Sequence, residues 1–284
     1  MTMIAGIGFT DEVIILSDSR VSFLDKNLKP KDTLKKIYKL SKYSCFAYTS
    51  GDVEFTHHII ESITKYATNI QVRKTDVFLK MITERASQEY ITLSRKFNKL
   101  PDMLFIYAGL VDGSYKIPRN KFVAIKKKYD ENIWMPKKLK DIKISSTEKT
   151  VSIPGPTPLL IKQKFPGGVV ASTKGWDYCA EGSGQDIEKD LDKYFSKLFF
   201  IPGAFNKAVI LQDLCDQFIG KAGIDTIGGL VQIFMINKEG VQPLAYVQKN
   251  GDKEIVKRYM DLDGNWIEED CITGTKKAVG QKII

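Results

Sequence analysis

The sequence predicts an α+β fold in which antiparallel sheets pack between layers of helices. Two observations carry this. Short apolar runs bounded by turn formers recur along the chain, the mark of buried strands. They alternate with two pairs of helically spaced apolar stripes, in the order strands, two helices, strands, two helices, strands. The 284 residues, 43% of them hydrophobic, suffice for a sizeable core.

The first run, Met3 to Phe9, breaks at Thr10-Asp11-Glu12, and Val13 to Leu16 follow directly. Two buried strands joined by a tight turn are expected, the second closing on Asp18-Ser19-Arg20. A polar loop spans Asp25 to Thr33, and Lys35-Lys36 opens a strand over Ile37 to Leu40. The next strand, Tyr43 to Thr49, stops at Ser50-Gly51-Asp52, where Ser50 or Asp52 caps a helix.

That helix carries Phe55, Ile59, Ile60, Ile63, Tyr66 and Ala67 on one face. The second carries Val77, Phe78, Met81, Ile82, Tyr90, Leu93 and Phe97, capped by Thr75 or Asp76, with Pro101 ending the pair. A strand from Met103 to Val111 turns at Asp112-Gly113 into Tyr115-Lys116-Ile117 as a hairpin.

From Pro118 to Pro166 the pattern is irregular, with Lys126-Lys127-Lys128, Lys137-Lys138 and prolines at 154, 156 and 158. Such proline density opposes a central strand, so most of 118–166 reads as an insertion: a lid, a clamp, a subunit contact or a solvated excursion. Strands resume at Gly168 to Ser172 and Asp177 to Ala180. Gly182-Ser183-Gly184 leads into a helix with Ile187, Leu191, Tyr194, Phe195 and Leu198, and a second helix carries Phe205, Val209, Leu214 and Phe218. Leu230 to Ile236 and hairpin strands from Val241 to Val247 and from Ile255 to Met260 close the pattern, and the polar tail from Asp261 reads as an edge extension. The whole of 1–284 is expected to form one domain.

Composition narrows the function classes. No apolar stretch spans a bilayer, and the N-terminus lacks the basic and cleavage features of a secretory signal, so a cytoplasmic location is expected. Cys45, Cys179, Cys215 and Cys271 are widely separated and read as reduced thiols. His57 and His58, the only histidines, point about 100° apart on a helix, so no metal site is expected. The net charge of +9 reads as lysine-rich composition rather than nucleic-acid binding, since no recognition module stands out.

Thr2 is the candidate for chemistry. A small second residue permits removal of Met1, and an N-terminal threonine carries hydroxyl and amine on one residue, nucleophile and base together. An α-amine titrates near about 7.7–8.0, and a nearby lysine would lower this further. Lys36 is placed for that role while Lys35 points to the other face; Asp18 can neutralise the buried ammonium. The backbone N–H of Gly51, at a strand-to-helix turn, can face a developing oxyanion. Ser183 lacks the preceding glycine of a nucleophile elbow, position 181 being Glu181, and reads as a helix cap.

Thr2, the Gly6-Ile7 strand, Asp18-Ser19-Arg20 and Lys35-Lys36-Ile37-Tyr38 resemble the opening of a proteasome-type β subunit, and so of the N-terminal-nucleophile hydrolases. The short start and Thr49-Ser50-Gly51-Asp52 are more similar to the bacterial members, especially the ancestral β subunit, Anbu. The resemblance implies a four-layer αββα sandwich, a threonine-type peptidase acting on peptide or protein through an acyl-enzyme, no cofactor, and a homo-oligomer, with any unfolding ATPase partner unspecified. It assigns Thr2 as nucleophile, Asp18 as acidic partner, Lys36 as central lysine and Gly51 as oxyanion donor, although an ungapped count falls on Ser50. Ser183 and Asp225 resemble the residues that support the terminal amine. Asp225 has one residue fewer before Gly228-Gly229 than the family pattern, with Thr226 the nearest hydroxyl. Two other outcomes fit the same site: a silent scaffold subunit, or a transpeptidase using an amine in place of water.

Overall fold

The computed structural model describes residues 3–20, 34–131, 137–145, 147–181, 207, 208, 210, 211, 230–250 and 254–279. The expected helices between 182 and 229 lie almost wholly outside these, as do Thr2, Ser183 and Asp225.

The N-terminal hairpin forms as its pattern requires: β1 (Ile4–Gly8) pairs antiparallel with β2 (Val13–Asp18), and every side chain in both is buried. Full burial means that both faces of the hairpin are covered, and strands also flank it on either side. β10 (Asp177–Glu181) pairs with β1, β11 (Val231–Asn237) pairs with β2, and β12 (Gly240–Pro243) completes a five-stranded sheet ordered β10-β1-β2-β11-β12. A second five-stranded sheet, ordered β3-β4-β5-β8-β9, joins Ile37–Ser41, Ser44–Ser50, Met103–Val111, Thr157–Phe165 and Gly168–Lys174.

The sheets face one another across a core that includes Ile4, Ile15, Ala47, Ile106, Leu160 and Phe234. They approach closely at Gly6, where a Cβ would lie 2.8 Å from Leu160 Cδ2 and 3.1 Å from Ile106 Cγ2. Helices α1 (Val53–Asn69) and α2 (Thr75–Phe97) cover the other face of the second sheet through Phe55, Ile59, Ile82 and Tyr90. The outer face of the first sheet, including Met3, Ala5 and Leu16, is covered among the described residues by the pair β6 (Tyr115–Pro118) and β7 (Thr150–Ile153), by α3 (Arg119–Glu131) and α4 (Lys137–Lys140), and by Ala208 and Leu211. The protein is therefore a mixed α+β fold with several antiparallel sheets.

Three expectations change and one is refined. The turn at Gly113 (φ 112°) does not return the chain onto β5; β6 pairs with β7 instead. The region 118–166 is not one excursion, because β8 sits inside the second sheet between β5 and β9. Pro158 is tolerated there because it is the second residue of β8, beyond the last β9 pairing, Leu159 with Lys174. Helix α2 takes Lys74 as N-cap with no side-chain cap; the Thr75 methyl lies against Gly109, where a Cβ would meet it at 2.8 Å. The tail from Asp261 is an edge extension, but of a sheet apart from both five-stranded ones. It supplies β15 (Trp266–Asp270) and β16 (Lys276–Ala278) to a separate meander with β13 (Tyr246–Asn250) and β14 (Glu254–Met260).

Among the described residues, no helix is long and apolar enough to cross a membrane.

Candidate functional site

Because β2 is buried along its whole length, its last residue, Asp18, ends inside the protein with 0% exposure. A desolvated carboxylate there needs donors. Met3 supplies one: its N–H reaches Asp18 Oδ1 at 2.9 Å, while the Asp18 N–H donates to the Met3 carbonyl at 3.2 Å. Lys36 supplies another, its Nζ lying 3.2 Å from the same oxygen. Lys36 is only 2% exposed and also donates to the Arg20 carbonyl. Met3 is covalently joined to Thr2, the sequence-predicted nucleophile, which lies outside the described residues.

The lysine is held from behind. Gln232 on β11, itself fully buried, accepts the N–H groups of Lys36 (2.9 Å) and Ile37 (3.2 Å) and donates to the Leu34 carbonyl at 2.6 Å. It thereby ties the first sheet to the start of β3. Sequence reasoning passed over this residue. Its signal was available: a lone amide in the apolar run Leu230 to Ile236. Lys35 turns away, donating to the Leu262 carbonyl at 2.7 Å and lying 5.0 Å from the centre of the Tyr38 ring. Nearby, Ser19 Oγ accepts the Leu230 N–H at 2.8 Å.

The end of β4 forms a second cluster. Asp52 caps α1 by accepting the Phe55 N–H at 3.0 Å. That bond, with Lys99 beside it, holds the Asp52 carboxyl below its usual range despite partial burial. Ser50 Oγ accepts the Asp52 N–H at 2.9 Å and the Thr56 hydroxyl. The Gly51 N–H donates to the Asp102 carbonyl at 3.1 Å. The described candidates thus fall into two groups: Asp18 and Lys36 in direct contact, and Gly51 at the neighbouring strand end. Cys45, buried between the sheets, has its thiol pushed far above the ordinary value by burial, which disfavours the reactive thiolate.

No protein-family model matches the chain, and no curated protein does. Solved structures do. Anbu, the ancestral β-subunit, from Yersinia bercovieri aligns at a TM-score of 0.53 and 10% identity, over 85% of this chain and 86% of its own. Two structures of Anbu from a Hyphomicrobium strain, one of them a mutant, each align at 0.50 and 10% identity. The mutant covers 86% of this chain and 84% of its own; the other covers 85% and 87%. This chain shares the Anbu fold. Anbu proteins are relatives of proteasome-type β subunits. At 10% identity the likeness to Anbu carries the path of the main chain and not the identity of site residues.

Proposed function

We propose that this protein is a proteasome-related subunit with an N-terminal threonine amidohydrolase site, acting on peptides. The observation that carries the reading is the buried Asp18–Lys36 pair bonded to the backbone of Met3, the residue joined to Thr2. After removal of Met1, the Thr2 hydroxyl attacks the amide carbonyl and its proton passes to the Thr2 amine. The Lys36 ammonium, held by Asp18 and the Arg20 carbonyl on a backbone anchored by Gln232, disfavours the protonated amine and keeps it basic. Collapse of the tetrahedral intermediate expels the leaving amine, which takes that proton, and leaves an acyl-enzyme. Water, deprotonated by the same amine, then releases the acid. Oxyanion stabilisation by the Gly51 N–H requires that donor to exchange the Asp102 carbonyl for the substrate oxygen. Ser183 and Asp225 are assigned to the support of the terminal amine by resemblance alone.

The same reading extends the fold to a four-layer αββα sandwich and to a homo-oligomer. One observation favours a silent scaffold instead: the Gly51 donor is already engaged. Intact mass after expression and labelling with a peptidyl epoxyketone, which consumes both hydroxyl and amine, separate the two. Loss of Met1 with labelling that disappears in Thr2→Ala supports the enzyme. Retention of Met1, or labelling unaffected by Thr2→Ala, overturns it.

A further inference from the structure

The gap between the two sheets is lined by apolar side chains along most of its length, yet it ends in charge. On β8, Leu160 packs into the inter-sheet core, while two and four residues later Lys162 and Lys164 reach across to the other sheet. Lys162 Nζ meets Glu181 Oε2 and donates to the Ala180 carbonyl at 3.4 Å. Lys164 Nζ lies 2.9 Å from Glu181 Oε1. Glu181 ends β10 directly opposite Ile4, whose other cross-strand partner is Ser17. Adjacent strands lie about 4.8 Å apart, so Glu181 flanks the start of β1 on the side away from Asp18. Ile4 is two residues after Thr2. The start of β1 therefore runs between two charged groups: Asp18 with Lys36 on one side, and Glu181 with Lys162 and Lys164 on the other.

The second group is unbalanced. Among the described residues, one carboxylate faces two ammonium groups, and the more exposed of these, Lys164, keeps 48% of its side-chain surface open to solvent. Asp52, at the end of β4 in the same sheet as β8, is paired with Lys99 at 3.3 Å. We infer that Lys162 and Lys164, braced by Glu181, form a carboxylate-binding subsite that selects peptides carrying an acidic group close to the bond attacked by Thr2. Lys162, only 15% exposed, is the anchor that fixes Glu181, and Lys164 is the group that reaches the ligand. The acidic group is an internal Asp or Glu side chain or the C-terminal carboxylate of a short peptide; both present the same oxygens to an ammonium. This rests on the reading of Thr2 as nucleophile.

The test uses the full-length, Met1-processed protein and peptide sets carrying Glu or Gln at each position around the cleaved bond, each with a free or an amidated C-terminus. The best Glu or free-acid peptide is expected to exceed its neutral counterpart in kcat/KM by about five- to tenfold, through KM, the range of a part-buried charge-assisted contact. Lys164→Gln should bring that ratio near one while leaving turnover of the neutral peptide unchanged, and Glu181→Gln should raise it. A free-acid effect without a Glu effect identifies the C-terminal carboxylate as the ligand, and the converse identifies a side chain. Binding of the same peptides to the Thr2→Ala variant, read by fluorescence anisotropy, separates the two hypotheses. Acid-selective binding that Lys164→Gln abolishes, with no Thr2-dependent turnover in the wild type, overturns the nucleophile and keeps the subsite. Equal binding of acidic and neutral peptides, or a preference that Lys164→Gln leaves intact, overturns the subsite.

Discussion

Asp18 accepts two donors on one oxygen, the Met3 N–H at 2.9 Å and the Lys36 ammonium at 3.2 Å, inside a protein surface that leaves both charged side chains almost dry. One carboxylate thus fixes the position of Met3, the residue just before β1, and of the only lysine bonded to it among the described residues.

Removing half of such a pair strands the other charge. Asp18→Ala or Lys36→Ala should each cost about 3–5 kcal/mol of stability, measured by urea denaturation. The double replacement Asp18→Asn with Lys36→Met should recover most of that loss, because neither buried charge remains. It should also abolish threonine labelling, which separates folding from chemistry.

Gln232 predicts a more selective lesion. Gln232→Leu leaves the N–H groups of Lys36 and Ile37 and the carbonyl of Leu34 without their side-chain partner. With each buried orphan costing about 1–3 kcal/mol, a loss of roughly 2–4 kcal/mol is expected after partial relaxation. Gln232→Glu can donate to the Leu34 carbonyl only when protonated, and its buried charge at neutral pH should make it the more destabilising of the two there. Thermal melts of the two variants side by side check this order.

Gly6 predicts overpacking. An added methyl at 2.8 Å from Leu160 and 3.1 Å from Ile106 pushes the two sheets apart. Gly6→Ala should cost about 1–3 kcal/mol. Leu160→Ala in the same background should cost less than it does alone, a coupling that a double-mutant cycle in urea reads directly.

Lys207 gives a pH signature. Burial lowers its pKa to about 8, against the raising influence of Asp11. In the folded protein it therefore loses its proton before the unfolded chain does, and the unfolded state holds more protons between these values. Stability should rise with pH across the window from about 8 to about 10.5, by up to roughly 3 kcal/mol, relative to Lys207→Met. Denaturation midpoints of wild type and variant across that window test the sign; a falling difference refutes it.

Where local pattern decides structure, the sequence was readable. The Thr10-Asp11-Glu12 break separates β1 from β2, Asp52 caps α1, and alternation at the start of β3 separates the directions of Lys35 and Lys36. What escaped was set by distant partners. Gln232 meets Lys36 across 196 residues, so its apolar context flagged an oddity without naming the contact. The partner of β6 lies beyond α3 and α4, so the adjacent turn gave the wrong neighbour. Proline count near 154–158 misled because position within a strand, rather than density, decides whether a missing donor matters.

The placement of β11 also dictates timing during synthesis. The first two strands leave the ribosome early, but β1 acquires its outer neighbour only when β10 is made and β2 only when β11 is made. The amide that clamps Lys36 arrives on that same late strand. A nascent chain halted before residue 230 has its catalytic candidates translated and unassembled. The buried Asp18–Lys36 pair thus gains its support from Gln232 only once β11 has been made, an order set by strand pairing alone.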